Sequence, residues 1–199
     1  MNPPNSTKKR RQLLVAGGGA FGLAGAAAVG TLLIQSMQPN KLTLQASDDA
    51  STQRIDVSGM EPGVVHALSL QGIPIIVLRR TTAQLAHLSR ETDLADPNSE
   101  ESAQPSEMKN QHRSLLPQLF VVNGKCTHLG CTVTTATDAK PSNGLDGRDG
   151  FYCRCHAAKF DLAGRVYKGM PAPTNLIVPN YRFIEPEVLE ISYASAKQV

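Results

Sequence analysis

The sequence CTHLGC occupies residues 126–131 and the sequence FYCRCH occupies residues 151–156, and together they contain all four cysteines of the chain. Each of these two clusters combines two cysteines with one histidine. Thiolates and imidazoles are the ligands that proteins use for zinc and for iron–sulfur centres. The two clusters therefore decide the fold, because the rest of the chain has to bring them together.

Three interpretations of the two clusters compete. Two disulfides would suit an exported chain with an even number of cysteines, but they would leave His128 and His156 without a role. A zinc site would accept two thiolates and two imidazoles, although zinc sites usually keep like ligands in C-x-x-C and H-x-x-x-H pairs. The third is a two-iron, two-sulfide cluster with cysteines on one iron and histidines on the other, which is the Rieske arrangement. The spacing C-x-H followed by C-x-x-H favours this third interpretation.

The composition argues against a protein that binds nucleic acid. A chain of 199 residues with 41% hydrophobic residues can build one domain and an appendage. The formal net charge is +3, and residues 8–11 (KKRR) alone supply four positive charges, so the remainder is close to neutral. We therefore expect no nucleic-acid partner.

The N-terminal part predicts a membrane anchor. Residues 13–34 are uncharged and would form a helix of about 33 Å, which suffices to cross a bilayer. The preceding positive charges place the N-terminus in the cytoplasm and the rest of the chain outside. Arg10 and Arg11 resemble a twin-arginine export signal. The alternative is a cleaved signal peptide, since AGAAAVG (residues 24–30) contains small-residue patterns that a peptidase accepts.

We predict four segments along the chain. They are a cytoplasmic basic segment with the twin-arginine signal (1–12), a transmembrane helix (13–34), a polar hinge or tether (35–54) and a β domain (55–199), whose cluster-binding part covers about 121–178. The domain is expected to be all-β and antiparallel, because short strand candidates alternate with turn residues and no βαβ pattern occurs.

The strand pattern inside this domain is specific enough to test. A hairpin is predicted from residues 63–70 and 73–80 with a turn at Gln71-Gly72, and a short helix capped by a threonine is predicted near residues 81–91. Residues 92–117 are polar and contain prolines, so we expect a long surface excursion. The other strand candidates are LFVV (119–122), GFYC (150–153), GRVY (164–167), YRFIE (181–185) and VLEIS (188–192).

Nearly the whole chain resembles the Rieske iron–sulfur subunit of a proteobacterial cytochrome bc complex, the ubiquinol–cytochrome c reductase. The resemblance covers the twin arginines, the single anchor, the hinge and the segments IDVSGMEPG, CTHLGC, CRCH, GRV and PAPTNLIVPNYRF. It implies one [2Fe-2S] cluster of Rieske type. Cys126 and Cys153 would bind the inner iron, and His128 and His156 would bind the outer iron.

The resemblance also assigns roles around the cluster. It implies a disulfide between Cys131 and Cys155, and a proline loop, GMPAP (169–173), that covers the cluster with Pro171. Leu129 would face the docking surface, the alternative being a core leucine inside the loop.

The implied function is electron transfer in a membrane complex. The family takes one electron from quinol at cytochrome b, moves the cluster domain on its hinge and reduces the c-type cytochrome subunit. The histidines His128 and His156 would bind the quinol hydroxyl and couple the electron to a proton. The protein would then be a single-pass inner-membrane subunit with a periplasmic domain in a dimeric complex. The alternative is the Rieske electron-carrier subunit of another exported oxidoreductase, of the arsenite oxidase type.

Many members of the family read C-P-C-H-G-S, followed two positions on by Tyr or Phe, and this chain departs from that pattern at Arg154, Ala157 and Ala158 and has Phe160 at the last position. Ala158 and Phe160 replace a serine and a tyrosine whose hydroxyls donate hydrogen bonds to cluster sulfurs in the family. Such bonds favour the reduced cluster, so their loss predicts a lower potential, by on the order of 80 mV at roughly 1 kcal/mol per bond. Arg154 replaces proline and adds a positive charge that acts in the opposite direction.

Overall fold

The structure is a computed structural model that describes residues 6–36, 43–45, 52–137 and 144–192. The chain divides into two compact units, Met1–Asn40 and Lys41–Val199. Helix α1 of the first unit spans Ser6–Ser36 and includes the uncharged residues 13–34. Within the described part of the chain, no helix combines the length and the apolarity that a membrane crossing requires.

The second unit is mostly β and antiparallel, which confirms the fold class predicted for this domain. Its described residues form three sheets with the strand orders β1-β2-β10-β9, β3-β4-β5 and β6-β7-β8. The strands are β1 (Thr43–Gln45), β2 (Thr52–Asp56), β3 (Val65–Leu70), β4 (Ile73–Arg79), β5 (Leu119–Asn123), β6 (Thr134–Ala136), β7 (Gly150–Cys153), β8 (Ala158–Phe160), β9 (Tyr181–Glu185) and β10 (Val188–Ser192).

One hydrophobic core runs through all three sheets. Ile55 of β2, Val77 of β4, Phe120 of β5, Phe151 of β7 and Leu189 of β10 belong to the same buried cluster, each fully buried. Burial of such side chains contributes about 1.5–3 kcal/mol each. The strands that carry the two cysteine clusters, β5 and β7, are therefore anchored in this core.

The predicted hairpin and helix are confirmed. Strands β3 and β4 pair from Val65↔Leu78 to Leu70↔Ile73. The two turn residues have positive φ, 48° at Gln71 and 84° at Gly72, as a tight two-residue hairpin turn requires. Helix α2 (Thr82–Leu88) begins with a capping box in which Thr81 and Gln84 each bind the other's backbone.

Parts of the predicted tether are strands instead. Thr43–Gln45 forms β1, which pairs with residues 54–56 of β2, and β2 itself begins at Thr52. A polar three-residue edge strand has no periodicity that a sequence pattern could reveal. The other tether residues, except 35 and 36 at the end of α1, lie outside the described residues.

Other element predictions differ in detail. GRVY (164–167) makes isolated bridges, Leu94↔Tyr167 and Phe160↔Val166, rather than a strand. Strands β6 and β8 were not predicted because each has only three residues.

Residues 92–117 are not a simple surface excursion. Leu94, Met108 and Arg113 within this segment are almost completely buried, and Ser106–Met108 forms one turn of 3-10 helix. Several of its buried polar groups are hydrogen-bonded to the domain, for example Arg113 Nη1 to the Ala163 carbonyl at 3.2 Å. The polar composition therefore reflects solvent exposure at most positions of the segment together with a buried hydrogen-bond network.

Candidate metal centre

The first cluster loop, residues 126–131, connects β5 to β6. The Cys126 amide donates to the Cys131 carbonyl at 2.8 Å and the Gly130 amide to the Cys126 carbonyl at 2.9 Å. Gly130 has φ 74°, a left-handed conformation that glycine adopts without steric cost. The loop is thus closed on itself, and both of its cysteines are held at its base.

The second cluster loop, residues 154–157, joins β7 to β8 and is exposed. Gly150 at the start of β7 lies so close to the Phe160 carbonyl that an added Cβ would overlap it. This close pairing continues to Cys153↔Ala158 at the loop itself. The loop therefore projects Arg154, Cys155 and His156 from a tightly paired hairpin.

A disulfide between Cys131 and Cys155 joins the two loops, with a Cα–Cα distance of 6.6 Å. This is the pairing that the resemblance implied. It leaves Cys126 and Cys153 as free cysteines.

The two free thiols are buried together beneath the loops, with 0% exposure at Cys126 and 1% at Cys153. Burial, and to a lesser degree the adjacent Cys153 thiol, raises the pKa of Cys126 to about 11. As thiolates, two groups buried at one point would repel each other and lose their solvation, and a bound cation would compensate for both charges.

Two histidine rings lie beside each other at the outer end of the loops. The ring centroids of His128 and His156 are 4.6 Å apart in an edge-to-face arrangement. His128 Nδ1 is buried and has no hydrogen-bond partner, whereas His156 is exposed. A buried ring nitrogen without a partner is costly unless a ligand occupies it.

The donor set therefore fits a mixed thiolate and imidazole centre. The sulfurs of Cys131, Cys153 and Cys155 also lie within 4.8 Å of one another, but two of them form the disulfide and offer no thiolate. The groups that remain available are the two free thiols and the two rings.

A third segment, residues 169–174, reaches the first loop through one hydrogen bond. Thr127 Oγ1 donates to the Thr174 carbonyl at 2.7 Å. Pro171 and Pro173 are exposed and Ala172 between them is buried. Thr127 was not predicted as a site residue, because a hydrogen bond from a hydroxyl to a distant carbonyl leaves no pattern in the sequence.

Leu129 lies at the tip and is 69% exposed. This excludes a role as a core leucine. An exposed leucine beside two histidines leaves an apolar spot on an otherwise polar loop.

Two of the positions that depart from the family pattern are buried, whereas Arg154 is exposed. Ala158 and Phe160 are both fully buried in β8. Ala158 is the partner of Cys153 in the β7–β8 ladder, so the two side chains point to the same face of this sheet.

The remaining histidines lie elsewhere. His66 is in β3, His87 in α2 and His112 in the 92–117 segment. His87 is exposed, whereas His66 Nε2 and His112 Nδ1 are buried and have no hydrogen-bond partner.

We predict that Ala157→Gly stabilises the domain. Ala157 has φ 57°, and relief of a left-handed alanine is expected to raise the free energy of unfolding by about 0.5–1 kcal/mol. Urea unfolding would measure the change. The control is Ala86→Gly on the exposed face of α2, where glycine should lower stability by about 1 kcal/mol. Equal destabilisation by both substitutions would contradict the prediction.

An antiparallel β domain in which two loops supply two thiols and two imidazoles has the features of a Rieske protein. Residues 54–182 match the family model of the Rieske [2Fe-2S] domain. A relative named ubiquinol-cytochrome c reductase iron-sulfur subunit, from Allochromatium vinosum, is 37% identical over 193 residues, which are 96% of this chain and 92% of the relative.

A protein of the same name from Bradyrhizobium diazoefficiens is 34% identical, covering 92% of this chain and 93% of the relative. Among solved structures, a chain of a hyperthermophilic respiratory complex III is 25% identical, covers 88% of this chain and 98% of its own, and has a TM-score of 0.43. The chain belongs to the family of Rieske iron–sulfur subunits of ubiquinol–cytochrome c reductase. This confirms the family predicted from the two loops and, with it, the [2Fe-2S] cofactor.

Proposed function

We propose that this protein is the subunit that takes one electron from quinol at cytochrome b and passes it to the c-type cytochrome subunit. The observation that carries the proposal is that two free buried thiols lie beside each other and two histidine rings lie beside each other, on two loops that a disulfide joins, and that one ring has an unpartnered buried Nδ1. The names of the relatives support the same assignment.

We assign the cluster ligands from the same observation. Cys126 and Cys153, as the buried thiols, would hold the inner iron, and His128 and His156 at the outer end would hold the outer iron. When bound, the cluster accepts and returns one electron at a potential that the neutral imidazoles raise relative to an all-cysteine centre.

The tip residues would then bind the quinol. His156 is exposed, so a ring nitrogen can accept a hydrogen bond from the quinol hydroxyl and take its proton. Leu129 supplies an apolar contact next to that ring, which excludes water from the hydrogen bond. The disulfide keeps the two loops together, so that both rings keep one orientation.

The proposal includes the topology and the partners. Residues 13–34 would anchor the protein in the inner membrane after twin-arginine export, with residues 1–12 cytoplasmic. Residues 35–54 would tether the periplasmic domain, residues 55–199, and permit its movement between the two cytochromes of a dimeric complex. The uncharged stretch of the sequence and its positive flank support this topology.

Membrane extraction tests the topology. If the anchor is retained, alkaline carbonate should leave the protein in the membrane pellet. Replacement of Arg10 and Arg11 by lysine should block export and keep the protein in the cytoplasm. Release of the full-length chain by carbonate would overturn the anchor.

A redox titration of the detergent-extracted protein, followed by electron paramagnetic resonance, tests the function. We expect a Rieske-type signal when the protein is reduced. The same signal should appear when a quinol analogue is added to the assembled complex. One zinc per chain and no signal at any potential would overturn the proposal.

We predict that Ala158→Ser together with Phe160→Tyr raises the midpoint potential. A hydroxyl donor opposite Cys153 and a second one two residues further along β8 would favour the reduced cluster, by on the order of 80 mV at roughly 1 kcal/mol each. The same titration measures the change. Phe183→Tyr in β9, outside the cluster sheet, is the matched control and should leave the midpoint unchanged. A double variant at the unsubstituted midpoint would show that these positions do not tune the cluster.

A further inference from the structure

A buried side-chain network joins residues 94–105 to the residue that follows segment 169–174. Its central residue is Asn175, which is fully buried. Asn175 Nδ2 donates to the Asp96 carbonyl at 2.9 Å and to Ser99 Oγ at 3.0 Å. Asn175 Oδ1 accepts from the Val166 amide at 2.8 Å. Both ends of the carboxamide are thus satisfied, one by residues 96 and 99 and the other by Val166.

Asp96 and Ser102 complete the network. Ser102 Oγ donates to Asp96 Oδ2 at 2.6 Å and accepts from the Asn175 amide at 2.9 Å. Asp96 also accepts from the Glu100 amide at 2.7 Å. Ser99 has φ 55°, a conformation that serine adopts only at a cost. The segment is therefore held in one strained shape around Asn175.

The network reaches the first cluster loop through the peptide group between Thr174 and Asn175. The Thr174 carbonyl, bonded directly to the Asn175 nitrogen, accepts the hydrogen bond from Thr127 Oγ1 at 2.7 Å. Thr127 lies between Cys126 and His128. The hydrogen bonds to the side chain and the amide of Asn175 therefore fix the Thr174 carbonyl. This carbonyl orients Thr127, which lies between the buried thiol of Cys126 and the unpartnered ring of His128.

We propose that Asn175 is a positioning residue for the metal centre, and that residues 94–105 exist to hold it. The network sets the position of the Thr174 carbonyl, which holds Thr127 and with it the orientation of the His128 ring. The inference rests on the proposed function for its consequence, since a His128 ring that turns freely would present its free nitrogen to quinol in several orientations.

Loss of the Asn175 bonds is expected to affect local opening of the loops rather than global stability. Each lost hydrogen bond to a buried group costs about 1–3 kcal/mol. Because Asp96, Ser99 and Val166, the partners of the Asn175 side chain, lie outside the strands, loss of these bonds should lower the cost of opening the loops more than that of unfolding the core.

The experiment compares four variants of the full-length chain in detergent. Asn175→Ala removes the carboxamide, and Ser102→Ala is a milder change that removes only the hydroxyl. Ser102→Thr keeps the hydroxyl and is the conservative counterpart. Leu189→Ala, at a fully buried position of β10, destabilises the core without touching the network.

Hydrogen exchange of the Cys126 and Gly130 amides is the first measurement, because both close the first loop. We expect exchange about tenfold faster in Asn175→Ala and Ser102→Ala, and unchanged in Ser102→Thr. The paramagnetic resonance signal should broaden in the same two variants and keep its shape in Leu189→Ala.

The outcomes separate this inference from the proposed function. Unchanged loop exchange and an unchanged signal in both Asn175→Ala and Ser102→Ala would overturn the positioning role. A Leu189→Ala protein with the same broadened signal would also overturn it, because loss of stability alone would then explain the effect. Failure of the proposed function would show instead as no Rieske signal in the unsubstituted protein, and the exchange comparison would still decide the role of Asn175.

Discussion

Replacement of His156 by alanine is expected to remove the iron from the protein. The outer iron would keep only one protein ligand, His128, and the exposed loop 154–157 offers no other donor at that position. Because His156 is exposed at the edge of the site, a buried side chain cannot take its place as a ligand. We therefore expect the iron content to fall from two atoms per [2Fe-2S] cluster to nearly none, with loss of the paramagnetic signal. Metal analysis and resonance spectra of the same sample measure both.

The matched control is His87→Ala, which removes a histidine from α2 and leaves both cluster loops unchanged. It should retain full iron and an unchanged signal. If His156→Ala retained iron and its signal, His156 would not be a ligand. If the unsubstituted protein held zinc that both histidine variants kept, the centre would not be a Rieske cluster at all.

The centre itself could be predicted from the sequence because its chemistry is local. The four candidate ligands lie in two short loops, and their spacing depends only on those loops. The hairpin of β3 and β4 was equally accessible, since Gln71-Gly72 is a two-residue turn signal between two apolar runs. Ligand spacing and turn residues both act over a few neighbouring residues, so they can be recognised in the sequence alone.

The surroundings of the centre were not accessible in this way. Asn175 binds Asp96 and Ser99, far away in the chain, and nothing in the polar run 92–117 indicates which side chains are buried. The strand β1 depends on pairing with β2 rather than on its own three residues. Such contacts arise from the tertiary fold, which overrides local propensity.

Removal of the disulfide by Cys131→Ser and Cys155→Ser is expected to be the largest single loss of stability outside the core. The bond closes a loop with a sequence separation of 24, and the chain-entropy relation gives about 3.5 kcal/mol for a loop of this length. At roughly 2–4 °C per kcal/mol, the unfolding midpoint should fall by about 10 °C. Calorimetry of the full-length protein measures the shift.

Reduction of the unsubstituted protein provides the internal comparison for this prediction. A thiol reductant should lower its unfolding midpoint to that of the double variant, and should leave the variant unchanged because it has no bond to reduce. The free thiols of Cys126 and Cys153 are present in both proteins, so an effect of the reductant on them would shift both midpoints equally. A double variant that unfolds at the unsubstituted midpoint would mean that the three-stranded sheet β6-β7-β8 holds the loops together without the bond. The disulfide would then serve the orientation of the two rings rather than the stability of the domain.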